Sequence, residues 1–183
     1  MSWRDRLTMS LAKDLSALRE VSTAVYRTQA RSHRRADQKP QDAAMTTQCT
    51  IPIRVRYVEC DSMGYLHHSH FLPYFEMGRT ELLRLCGMRY RDLEDQGIAF
   101  VVTKIAVSFK RPARYDDDLE LVTKIVRQTH VRIDHTYELY RQESRQLLCT
   151  ADSTIACVNH QGQVIAIPEK LAVMRASFAK KHT

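Results

Sequence analysis

From residue 99 onward the chain is written almost entirely in long strand-like segments, and that run constrains the fold more than any other feature. The candidate strands are residues 99–110, 119–129, 131–142 and 147–159. In the third, Ile133, His135, Tyr137 and Leu139 alternate with Asp134, Thr136, Glu138 and Tyr140, the pattern of a half-buried antiparallel strand. A further strand is expected over residues 51–59, where Ile53, Val55 and Tyr57 alternate with Arg54, Arg56 and Val58. Between them lies one long helical pattern, residues 69–86. Ser69 is its expected N-cap, Pro73 sits in its first turn, and Gly87 stops it. Leu72, Phe75, Leu82, Leu83 and Cys86 share one face of its helical wheel. A short helix is expected over residues 90–96, a turn at Gly162, and a last helix over residues 169–180. One long helix covering one face of an antiparallel sheet gives a two-layered α+β domain. The other face is left for a second subunit, so an oligomer is expected.

The pattern breaks near residue 45. Residues 1–44 contain no glycine and form an extension, expected to be partly helical (residues 7–26) and partly a polar, basic linker or disordered (residues 29–43). Residues 45–183 form the domain. A basic amphipathic extension can be a transit peptide, but Asp5, Asp14 and Glu20 argue against that. The reading favoured is that the native start is Met45, with the upstream stretch an over-extended reading frame or a dispensable appendage. The formal charge of +7 is spread unevenly. The extension holds nine Lys/Arg against five Asp/Glu, and the domain nineteen against sixteen. The domain is therefore only mildly basic, which suits an anionic small ligand and gives weak support for nucleic acid. No apolar run approaches the roughly 20 residues of a membrane span, and the start lacks a signal-peptide pattern. Five cysteines, an odd number without CxxC spacing, argue against a disulfide framework or zinc site. They read as reduced thiols of a soluble, cytoplasmic protein, with Cys86 and Cys157 in the core.

Chemistry concentrates in residues 55–84, VRYVECDSMGYLHHSHFLPYFEMGRTELLR. Asp61 lies on a loop beside a glycine, and His68 follows at the entrance to the long helix. The first turn of a helix has free N–H groups, which can stabilise the oxyanion formed at a thioester carbonyl. A nearby carboxylate can attack that carbonyl or activate water. Spacing alone leaves the plain alternative open, because loop aspartates next to glycine commonly make turns.

The same segment resembles the motif of the 4-hydroxybenzoyl-CoA thioesterase family, V-R-Y-x-E-x-D-x-M-G-x-x-x-H-x-x-Y-x-x-x-F-E-x-G-R-T-E-x-L-R. Val55, Arg56, Tyr57, Glu59, Asp61, Met63, Gly64, His68, Phe75, Glu76, Gly78, Arg79, Thr80, Glu81, Leu83 and Arg84 reproduce it in order. The likeness continues through Gly87-Met88, Tyr90, Leu93 and residues 111–117, and covers about residues 51–172. The resemblance implies a hotdog fold, a long central helix wrapped by an antiparallel sheet of about five strands. It implies acyl-CoA hydrolysis to free acid and CoA, and dimers or tetramers with active sites at subunit interfaces. By resemblance Asp61 is the catalytic carboxylate, as nucleophile or general base. The main-chain N–H of His68 helps hold the thioester oxygen, and the His68 side chain and Tyr57 are auxiliaries. The thioester is already activated, so no cofactor or metal is expected. Many members carry Tyr-His-x-Asn-Tyr where this chain has His67-His68-Ser69-His70-Phe71. His67 and His70 are therefore candidates for substrate contact that bear on acyl choice.

Rival readings remain beside these. His67, His68 and His70 with Asp61 could be metal ligands. Glu76 could be the active carboxylate, as in another class of hotdog thioesterases, but since the loop aspartate is present the favoured reading is an ion pair with Arg79, three residues on along the helix. Lys110, Arg111 and Arg114 could bind CoA phosphates or be solvated charge around Pro112. Asp116-Asp117-Asp118 reads as a turn. The domain could also be a hydratase or dehydratase of acyl thioesters, or a sensor that binds acyl-CoA without turnover.

Overall fold

A computed structural model describes residues 47–171. The expectations for the extension, and for all but the first turn of the last helix, lie outside these residues. The element order is β1 (Gln48–Arg54), α1 (Phe71–Leu85), α2 (Tyr90–Glu94), β2 (Ile98–Phe109), β3 (Asp118–Gln128), β4 (Arg132–Arg141) and β5 (Leu147–Asn159), with 3-10 turns at Tyr57–Glu59 and His68–His70. The strands form one antiparallel sheet in the order β1-β3-β4-β5-β2. This is the expected hotdog arrangement, with α1 packed on β1 and β3.

Alternation decides which face is buried. Leu119, Leu121, Thr123 and Ile125 of β3 and Ile133, His135, Tyr137 and Leu139 of β4 are buried. They pair in register, Leu121 opposite Leu139 and Thr123 opposite Tyr137. Helix α1 buries Phe71, Tyr74, Phe75, Gly78 and Leu82 against them. Leu72, expected on this face, is 44% exposed instead. The buried stripe runs through Phe71, Phe75, Gly78 and Leu82, four and three residues apart, and Leu72 falls on its shoulder. Gly78 is part of that stripe without being apolar in the usual sense, so a hydrophobic pattern misplaces its centre.

Two element boundaries differ from expectation for physical reasons. Strand β1 ends at Arg54, because its partner β3 begins at the opposing Asp118. Tyr57–Glu59 then forms a tight turn in place of strand. Ser69 does not cap the helix: a 3-10 turn capped by His67, whose Nδ1 accepts the Ser69 N–H at 3.4 Å, leads into α1, and the N-cap of α1 itself is His70, with no side-chain cap bond. Gly87 ends the helix as expected, with φ at +81°. Cys157 is fully buried, whereas Cys86 is only partly so.

Candidate active site

The turn after β1 delivers Asp61 to the N-terminal end of α1. Asp61 N–H donates to the Tyr65 carbonyl at 2.9 Å, and Gly64 N–H donates back to the Asp61 carbonyl at 2.9 Å. Gly64 holds φ +76°, a conformation that favours glycine. One carboxylate oxygen, Oδ1, accepts the Met63 N–H at 2.8 Å and the Tyr65 N–H at 3.2 Å. The turn-forming role of such an aspartate is thus met by Oδ1 alone. The other oxygen, Oδ2, has no hydrogen-bond partner among the described residues.

Asp61 and His68 line one open cleft with Leu66, Phe71, Phe109 and residues 110–113. Phe71 and Phe109 meet edge to face at 4.9 Å, joining the start of α1 to the end of β2 as an apolar wall. The backbone N–H groups of Lys110 and Arg111 both donate to the Leu148 carbonyl, at 2.8 and 3.1 Å, which fixes the main chain that carries these two exposed cations beside the cleft. Leu66 N–H donates to the Ala113 carbonyl at 2.9 Å, tying the Asp61 loop to the same segment. At the helix entrance the Ser69 N–H is taken by His67 and the His70 N–H by the His67 carbonyl. The His68 N–H has no acceptor among the described residues. Two residues that border this cleft thus carry groups left unsatisfied among the described residues, the Asp61 Oδ2 and the His68 N–H at a helix start.

The remaining sequence-derived candidates fall elsewhere. Tyr57 is 81% exposed, packed edge to face on Tyr115 at 5.6 Å, outside the cleft. The His67 ring is engaged with Ser69 Oγ at 2.8 Å and lies 4.1 Å from the His68 ring. His67 and His70 do not line the cleft, and among the described residues no cluster of three His, Cys, Asp or Glu forms a metal site. The Arg114 guanidinium lies over the Tyr65 ring at 4.6 Å and donates to its hydroxyl at 3.2 Å. Asp117 accepts the Arg114 N–H, at 2.8 Å, and pairs with Arg141 at 2.9 Å, as befits a turn.

Glu76 lies away from Asp61. It borders a separate cavity of about 200 Å³, lined also by Arg79, Thr80, Val102 and His135. No Glu76–Arg79 ion pair forms among the described residues; Arg79 instead donates to the Tyr137 hydroxyl at 3.0 Å. Tyr137 in turn shares a hydrogen bond with Ser153 Oγ at 2.8 Å. Burial, with Arg79 nearby, pushes the His135 imidazole down to about 3, so it is neutral.

Sequence reasoning matched Glu59 to a motif without giving it a role. It is buried, and its carboxylate accepts a 2.6 Å hydrogen bond from the Tyr74 hydroxyl. The only signal was an acid placed two residues before Asp61 at an apolar phase of the expected strand.

A family model described as "Thioesterase-like superfamily" matches residues 55–175. Acyl-CoA thioester hydrolase YbgC of Escherichia coli is 33% identical over 114 residues, 62% of this chain and 84% of that protein. Acyl-CoA thioesterase YbgC of Haemophilus influenzae is 32% identical over 111 residues, 60% of this chain and 80% of that protein. Among solved structures, a DHNA-CoA thioesterase from Staphylococcus aureus superposes with a TM-score of 0.67 at 25% identity, covering 73% of this chain and 89% of that one.

Proposed function

Because this chain belongs to the thioesterase-like superfamily, we propose that it hydrolyses acyl-CoA thioesters to the free acid and CoA, with Asp61 as the catalytic carboxylate. One observation carries the reading: Asp61, with a free Oδ2, and His68, with a free N–H, line the same cleft. The thioester carbonyl oxygen points at the His68 amide, where the start of a helix favours negative charge. Asp61 then acts in one of two ways. Its Oδ2 attacks the carbonyl carbon, the C–S bond breaks, CoA leaves as the thiolate, and water hydrolyses the resulting anhydride. Alternatively Asp61 takes a proton from water, whose oxygen attacks the carbonyl carbon directly; the C–S bond breaks, CoA leaves as the thiolate, and the proton held by Asp61 is available to it. The His68 side chain borders the same space, while Tyr57 is assigned no step within one chain. Lys110 and Arg111, on the rim, are positioned for CoA phosphates.

The active form is proposed to be an oligomer. Strand β2 is an edge of the sheet and leaves Val101, Val102 and Phe109 exposed, the kind of edge that a second copy covers. Five free cysteines support a reducing compartment such as the cytoplasm. Among the described residues no helix is long and apolar enough to cross a membrane.

The test is a panel of short, long and aromatic acyl-CoA substrates with free-thiol detection, run on the native protein, Asp61→Asn and Glu76→Gln. Turnover is expected for the native protein and Glu76→Gln, and its loss in Asp61→Asn. No turnover on any substrate would favour a sensor. Loss confined to Glu76→Gln would move the chemistry to the helical acid.

A further inference from the structure

We propose that Glu59 is the positioning residue of this site, holding the Asp61 carboxylate and the His68 amide in register; this rests on the proposed role of Asp61. Glu59 lies two residues before Asp61 and is 2% exposed. A buried carboxylate requires full hydrogen bonding, and this one has it. Oε1 accepts from Arg56 Nε at 2.9 Å and Nη2 at 2.7 Å. Oε2 accepts from the Arg56 N–H at 2.8 Å and the Tyr74 hydroxyl at 2.6 Å. Burial alone would raise this carboxyl. The donors from Arg56 and Tyr74 outweigh it and hold the group below the usual carboxylate range, so it stays ionised.

The connections matter more than their number. Through Tyr74 the Glu59 side chain is fixed to the first turn of α1, the helix whose entrance carries His68. Through its own carbonyl, Glu59 accepts the His67 N–H at 2.9 Å, one residue before that amide. The next residue, Cys60, bridges to Leu66 and closes the loop that presents Asp61. One buried group therefore sets where the carboxylate arm and the amide arm stand relative to each other. Shortfalls on the order of 1 Å in such placement cost much of the rate while leaving binding largely intact. A group that only capped the 3-10 turn would affect stability and nothing else.

The experiment compares Tyr74→Phe, which removes one hydroxyl, with Glu59→Gln, which removes the charge and keeps the size. Both are measured on the best substrate of the panel for kcat and KM, and for urea midpoint. Leu93→Ala, a core change on α2 remote from this loop, serves as a control for lost stability. The expected result is a kcat several-fold lower in Tyr74→Phe and at least ten-fold lower in Glu59→Gln, with KM within two-fold. Leu93→Ala lowers the urea midpoint and keeps kcat. Unchanged kcat in Tyr74→Phe overturns the positioning role, and because that variant is mild it decides even if Glu59→Gln fails to fold. A kcat loss of equal size in Leu93→Ala overturns it too. Full activity in Asp61→Asn would instead overturn the proposed role of Asp61, a separate and recognisable failure.

Discussion

A Cβ placed on Gly78 would overlap Thr123 Oγ1 and come within 3.0 Å of Leu121 Cδ2. Helix α1 thus rests directly on β3 at this point, and glycine is what permits the contact. Thr123 is fully buried and β-branched, so it has little freedom to move aside. In an exposed helix Gly→Ala would stabilise by about 1 kcal/mol. Here the overlap reverses the sign, and Gly78→Ala is expected to destabilise by about 1–3 kcal/mol. Thr123→Ala in the same chain should restore part of that loss. Urea midpoints of the two single variants and the double variant check the coupling. Strict additivity would mean that the two residues do not touch.

His135 makes stability depend on pH. Its folded pKa, pushed down to about 3 by burial and by Arg79, lies below the unfolded value of about 6.5. Between those values the unfolded chain binds the extra proton. Stability is therefore present above about pH 6.5 and lost as pH falls, by roughly 1.4 kcal/mol per pH unit for this one group. Among the described residues its Nδ1 has no hydrogen-bond partner, so no acceptor there favours the protonated ring. His135→Leu should flatten the dependence of the urea midpoint between pH 7 and 5. A slope identical to that of the native protein would show that other groups dominate.

These relationships mark where the chain was legible and where it was not. The strands were, because alternation such as that of Ile133, His135, Tyr137 and Leu139 is a local signal of which side faces the core. The end of β1 was not, because it depends on Asp118 across the sheet. Arg79 was expected to meet Glu76 three residues away, and instead reaches Tyr137, 58 positions along the chain. Helical spacing shows near neighbours and is silent on distant ones. Asp61 stands out through an ordered motif; that the turn engages only one of its two carboxylate oxygens is visible only in the loop's geometry. Glu59 and Tyr74 carried no local signal of their pairing, since the helix must fold back onto the turn before they meet.

Lys110 and Arg111 are exposed rim cations, and exposed ion pairs are worth about 0.2–1 kcal/mol. Alanine at either position is expected to raise KM by about 2–5-fold, leave kcat within two-fold, and matter less as salt rises. Arg114 is engaged with Tyr65 outside the cleft, so Arg114→Ala should raise KM less than either. Steady-state kinetics at low and high ionic strength measure all three. A larger effect for Arg114 would move the phosphate contact to the Tyr65 side of the loop.

The backbone and side-chain roles of His68 can be separated by one substitution, because the residue before it is already shaped for proline. His67 has φ −66° and ψ 138°, the extended conformation that a following proline requires. Position 68 opens the 3-10 turn, where a missing N–H breaks no intrahelical bond. His68→Pro should therefore fold while removing the free amide. Loss of one oxyanion donor costs roughly a hundred- to a thousand-fold in kcat. His68→Ala keeps the amide and loses the imidazole, and is expected to retain most of the rate. Circular dichroism confirms the fold of both variants, and kcat on the best panel substrate compares them. If His68→Ala is as slow as His68→Pro, the imidazole and not the amide stabilises the transition state. If both match the native protein, the oxyanion is held elsewhere.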